Sequence, residues 1–125
     1  MHLLVVPAKA GARLSLPALT PFGITVSVAG SLADVPETIH REQFDLVIVD
    51  ASDGFWNENP LQQPPFDIQA LGLPIALWTR QCTPHDTLDL LDAGYADVWS
   101  ADCSTIELVA HLYELARQVR FKLSA

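Results

Sequence analysis

Three short, uninterrupted apolar runs constrain this chain more than any other feature: Leu3 to Val6, Leu46 to Val49 and Ile75 to Trp78. A strand with one wet face alternates apolar and polar residues, whereas a strand covered on both faces is apolar throughout. The runs therefore predict parallel strands buried between two layers. Ile24 to Val28 interleaves Thr25 and Ser27 and reads as a strand nearer an edge. Val98-Trp99 reads as a fifth, very short strand.

Between the runs the apolar period becomes that of a helix. Leu32 to Phe44 places Leu32, Val35, Ile39 and Phe44 along one side, with Ser31 as N-cap and Pro36 in the first turn. Thr83 to Ala93 opens on Thr83-Pro84, carries Leu88, Leu90 and Leu91, and stops at Gly94. A third helix starts after Ser104, with Glu107 as its capping-box partner and Ile106, Leu108, Val109, Leu112, Leu115, Ala116 and Val119 as its stripe. Pro17 and Pro21 predict a short or broken helix within Lys9 to Gly23. Pro60, Pro64 and Pro65 make Ala51 to Leu73 mostly loop. This alternation implies one doubly wound α/β domain over residues 1–125.

Charge and motif content narrow the function classes. Seven Lys and Arg against fifteen Asp and Glu give a net charge of −8, which repels phosphate backbones and anionic lipid. No nucleic acid or membrane partner is expected. No apolar run approaches the ~20 residues of a membrane span, and Pro7 cuts off the first run before it could serve as a signal peptide. A cytoplasmic location is expected. Cys82 and Cys103 form neither a disulfide framework nor a metal pattern, and both should lie as free thiols in neighbouring loops at the carboxyl edge of the sheet. His2, His40, His85 and His111 are dispersed, so no metal is expected. No Gly-rich phosphate loop, nucleophile elbow or Cys/His pair suggests an enzyme or a cofactor.

Three segments carry a more specific signal. They are Phe44-Asp45-Leu46-Val47-Ile48-Val49-Asp50, Leu73-Pro74-Ile75-Ala76-Leu77-Trp78-Thr79 and Leu91-Asp92-Ala93-Gly94-Tyr95-Ala96-Asp97. In order and spacing they resemble the receiver domain of two-component response regulators, and the resemblance covers nearly the whole chain. It implies a flavodoxin-like three-layer sandwich with five parallel strands in order 2-1-3-4-5. It also places Asp50 at the phospho-acceptor position and Thr79 at the hydroxyl switch position. A working pocket of this family holds Mg²⁺ with further acids and pairs the phosphate with a Lys. Here the acid positions fall at Pro7 and Ala8 and the Lys position at Ala101, followed by Asp102. The aromatic switch position falls at Val98, beside Trp99. Losing each charge-assisted contact in a buried site costs on the order of 2–5 kcal/mol. The resemblance thus points to a degenerate, pseudo-receiver member. Lys9 and Arg80 are the cations nearest in sequence, and neither takes the family's position.

The expected function is a phosphorylation-independent signalling module that mediates dimerisation or docking to a protein partner. Family resemblance gives the contact face as Pro84–Ala93, Val98–Trp99 and Ser104–Arg120, with Leu88, Leu91, Trp99, Ile106 and His111 as its contact residues. Two alternatives stay open: a phospho-acceptor with a non-standard pocket, or a small-molecule sensor at the carboxyl edge of the sheet. Asp50 could equally cap a loop or bond backbone amides, and Ser52-Asp53-Gly54 could be a plain turn. Phe55, Trp56 and Phe66 could anchor a partner or fold back over the sheet. The last helix has no Gly or Pro stop, so continuation into an output domain is expected.

Overall fold

We describe the protein from a computed structural model, which defines residues 1–8, 11, 14–52, 66–80 and 82–124, with side chains through 118. Five parallel strands form one sheet in the order β2-β1-β3-β4-β5. They are β1 (His2–Pro7), β2 (Thr25–Val28), β3 (Leu46–Ala51), β4 (Ile75–Thr79) and β5 (Asp97–Ser100). The helices are α1 (Val35–Arg41), α2 (Pro84–Asp92) and α3 (Thr105–Ser124), with 3₁₀ turns at Thr20–Phe22, Leu32–Asp34 and Gln69–Leu71. Fold class and strand order are those expected from the apolar runs and the resemblance. Among the described residues, no helix is long and apolar enough to cross a membrane.

Alternation along the three inner strands divides the core in two. Leu4, Val6, Val47, Val49, Ile75 and Leu77 point to one side, where they meet Leu32, Val35, Leu90 and Tyr95. Leu3, Val5, Leu46, Ile48, Ala76 and Trp78 point to the other, against Trp99, Leu108, Leu112 and Leu115. On that second side, residues 14–19 run without a helix, as Pro17 and Pro21 require. Leu14, Leu16 and Leu19 nevertheless pack into the same core as α3. The segment thus covers the sheet where a helix would otherwise lie.

Helix boundaries differ from the sequence reading at α1. The expected helix over Leu32 to Phe44 is a 3₁₀ turn followed by only seven α-helical residues. Ser31 does not cap it, because its hydroxyl donates to Asp34 Oδ2 at 3.1 Å. At the other end the backbone is extended by Glu42, which lets Phe44 enter the core and feeds the chain into β3. For α2, Thr83 and Asp86 form a reciprocal capping box, with each side chain accepting from the other's backbone N–H. Beyond it, Gly94 has φ of 116°, and a Cβ there would lie 3.2 Å from the Ile68 side chain. Only glycine fits that turn without displacing Ile68.

Tyr95 shows what this core does to an ionisable group. Its ring is 3% exposed, and burial pushes the phenol above its ordinary value, far into the alkaline range. An unfolded tyrosine ionises near 10, so the unfolded chain releases this proton first. The stabilisation from keeping Tyr95 neutral is complete below that pH and is lost progressively above it. We expect phenolate absorbance from Tyr95 to appear only together with loss of far-UV circular dichroism in an alkaline titration. Ionisation of this ring in a folded protein would contradict its burial.

Candidate functional site

The carboxyl ends of β1, β3 and β4 bring the predicted pocket positions together. Pro7 pairs with Asp50 in the β1–β3 register, and the Ala8 N–H donates to the Asp50 carbonyl at 2.9 Å. Ala101 follows β5, where its N–H donates to the Thr79 carbonyl at 2.8 Å. The acid positions of the resemblance thus lie beside Asp50, and the Lys position lies beside Thr79. Pro7 and Ala8 carry no group that could ligate a cation, and Ala101 none that could pair with a phosphate.

Asp50 is 3% exposed, and both its oxygens already accept hydrogen bonds. Oδ2 accepts from the Ser15 backbone N–H at 2.8 Å. Oδ1 accepts from the Ser52 N–H at 3.1 Å and from the Ser52 hydroxyl at 2.5 Å. The Ser15 hydroxyl in turn donates to Ser52 Oγ at 2.6 Å and accepts from Trp78 Nε1 at 3.0 Å. A directed chain of donors thus runs from the Trp78 indole through two serines to one carboxylate oxygen. A Mg²⁺ ion or a phosphoryl group at Asp50 would compete with these donors for the carboxylate, whose Oδ2 accepts one bond and Oδ1 two. The described residues also hold no group of three His, Cys, Asp or Glu side chains placed to bind a metal. Among the described residues, the donor set does not fit Mg²⁺.

Thr79 is 1% exposed and its hydroxyl donates to the Arg80 carbonyl at 3.4 Å, a long contact. It pairs with Ala51 rather than with Asp50, and Asp50 pairs with Trp78. Arg80 reaches Asp102 at 3.4 Å, an exposed ion pair of little energetic weight. Lys9 and Asp53 lie outside the described residues, as do Phe55 and Trp56. Phe66 folds back and packs, partly buried, on the α1–α2 side of the core.

The residues predicted for the contact face divide. Leu88 is 61% exposed, Leu91 38% and Ile106 73%, and His111 is also at the surface. Trp99 departs from the expectation at 3% exposed. Alternation along β5 turns it under α3, where His111 stacks on it with centroids 5.5 Å apart. Its indole N–H finds no hydrogen-bond partner among the described residues. Its neighbour Val98, at the switch position, packs partly buried on the opposite side of the sheet.

The cysteines are not neighbours. Cys82 packs on the α1–α2 side and Cys103 on the α3 side, because β4 and β5 release the chain to opposite faces. Both are free thiols. Burial, followed by the charges of Glu107 and Asp102, raises the Cys103 pKa against one lowering backbone hydrogen bond. That environment keeps the thiolate, and hence its reactivity, low.

Sequence reasoning missed Ser15, Ser52 and the Trp78 N–H. Ser15 lies 35 positions from Asp50, in a segment whose only local signal is two helix-breaking prolines. No pattern of residue types announces such a contact.

No protein-family model matches this sequence, and no curated protein matches it. Solved structures do. The receiver domain of the TMAO respiratory system response regulator TorR superposes with a TM-score of 0.65 at 24% identity, over 95% of this chain and 99% of that one. A response regulator from Desulfuromonas acetoxidans gives 0.65 at 19% identity, over 94% and 97%. The receiver domain of sensor histidine kinase PA1611 from Pseudomonas aeruginosa PAO1, with a magnesium ion in its active site cleft, gives 0.59 at 16% identity, over 92% and 96%. Strand order, register and these superpositions together establish that the chain has the fold of response-regulator receiver domains.

Proposed function

We propose that this domain is a degenerate receiver of two-component signalling, one that acts by protein contact without accepting phosphate or catalysing a reaction. The observation that carries this reading is the closed Asp50 carboxylate, both of whose oxygens are taken by Ser15 and Ser52. Phosphoryl transfer to a carboxylate needs an accessible oxygen, a cation and a positive group on the phosphate. Among the described residues, those beside Asp50 are a proline, an alanine and two serines, and beside Thr79 an alanine stands at the Lys position. Ser15, which bonds Asp50 and accepts from Trp78, occupies part of the carboxyl edge, and this weighs against a small-molecule site there.

The docking surface fits the exposed side of α2 and α3, where Leu88, Leu91 and Ile106 project apolar groups into water. Such residues favour a protein partner, which removes them from solvent at about 25 cal/mol per Å² of apolar surface.

An NMR titration of the labelled domain tests the reading. We expect no saturable shift of the Ser15, Asp50, Ser52, Thr79 or Ala101 amides on adding Mg²⁺ and then fluoroberyllate, a phosphoryl mimic. A saturable shift that Asp50→Asn abolishes would mean a working receiver with a rebuilt pocket. A saturable response to fluoroberyllate that survives Asp50→Asn would point to an anion site elsewhere.

A further inference from the structure

Among the described residues, the outer strand of the sheet, β2, has no partner on its far side. Backbone N–H groups of Thr25 and Ala29 donate to the carbonyls of Met1, just before β1, and of Val5 within it. By the two-residue period of a strand, the N–H and C=O of Val26 and Val28 point away from β1. No described residue bonds them. Val26 and Val28 pair with Leu3 and Val5, so their side chains leave the sheet on the α3 side. There the thin cover of residues 14–19 leaves Val26 40% and Val28 59% exposed. A cleft of about 380 Å³ opens beside them, between Leu14, Leu16, Leu19 and Val26.

Edge strands of this kind are normally guarded by charge, proline or a covering element. Here the whole stretch from Leu14 to Ala33 contains no ionisable side chain. The rest of the chain is strongly acidic, with a net charge of −8. Two copies therefore repel one another wherever their charged faces meet, and this uncharged edge is where they approach without that penalty. The same lack of charge gives a foreign acidic or basic segment nothing to select.

We propose that two copies of this chain associate through β2, antiparallel across a two-fold axis normal to the sheet. In that register Val26 exchanges backbone hydrogen bonds with the partner's Val28, and Val28 with the partner's Val26. Ser27 faces its own copy on the axis, and the two sheets become one of ten strands. Opposed residues of an antiparallel pair share a face, so all four valines meet on the α3 side. The contact is isologous and closed, hence a dimer and not a fibre. This inference goes beyond the docking reading and does not rest on it, since α2 and α3 stay free for a partner.

Sedimentation velocity of the full 125-residue chain, from micromolar to near-millimolar concentration, provides the test. We expect the apparent mass to rise toward twice 13.7 kDa. Val28→Lys should weaken dimerisation by at least about tenfold, because it places a charge on the paired edge. Ile106→Lys, on the other surface, should leave it unchanged. As a check independent of Val28→Lys folding, Ser27→Cys in a Cys82→Ser, Cys103→Ser background should oxidise to a covalent dimer, since paired strand positions bring Cβ atoms within disulfide reach. A monomer at every concentration would overturn the proposal. So would a dimer lost in Ile106→Lys but kept in Val28→Lys, or Ser27→Cys chains that never cross-link. The fluoroberyllate titration reads a different site, so each result stands apart from the other.

Discussion

Asp50→Asn is expected to destabilise the domain by about 1–3 kcal/mol in urea unfolding, the cost of a buried donor left without its acceptor. The sign of the change matters more than its size. In a receiver pocket where several carboxylates crowd together, neutralising one relieves repulsion and stabilises the fold. Here the flanking positions on the first strand are Pro7 and Ala8, and the groups aimed at Asp50 are donors. An amide has one oxygen and one NH₂. If the NH₂ faces Ser15, it meets a backbone N–H; if it faces Ser52, it meets another. Either orientation sets a donor against a donor in a site that is 3% exposed. Asp50→Ala removes all three acceptor contacts and is expected to cost more than Asp50→Asn. Stabilisation by Asp50→Asn would show that repulsion dominates, and the closed-carboxylate reading would fail with it.

Why the sheet was legible and the cage was not follows from the range of the forces involved. Leu46 to Val49 is a buried strand because both its faces are covered, and that requirement is written into every residue of the run. Pro7 and Ala8 lie beside Asp50, and Ala101 beside Thr79, because strand order and register bring those strand ends together. Trp99 was misjudged because β5 is only four residues long, too short for alternation to show which of two neighbours faces the core. The α1 boundary failed for another local reason: Ser31 spends its hydroxyl on Asp34, an outcome the N-cap preference does not anticipate. Contacts such as Ser15 to Asp50 depend on the path of a segment with no helical or strand period, and nothing in residue order encodes that path.

The Trp78 side chain is where that path is held, and Trp78→Ala should cost about 3–5 kcal/mol, the usual range for emptying a core aromatic site. Trp78 is 2% exposed, packs in the α3-side core and donates its indole N–H to Ser15. Two contributions can be separated. Trp78→Phe keeps much of the apolar volume and removes the N–H, so it isolates the link to Ser15. Ser15→Ala removes the same link from the other side, together with the hydroxyl that donates to Ser52. If residues 14–19 are positioned through the chain Trp78–Ser15–Ser52–Asp50, the two substitutions will not add. A double-mutant cycle should then return a coupling of about 0.5–1.5 kcal/mol, within the range for residues of one hydrogen-bond network. Amide exchange of Ser15 should quicken in Trp78→Phe, because its protection depends on Asp50 staying in place. Additive costs with unchanged exchange would mean that Leu14, Leu16 and Leu19 hold the segment by burial alone. The serines would then be passengers of that packing, and Asp50 would be closed off because the segment lies over it, with no network needed to keep it there.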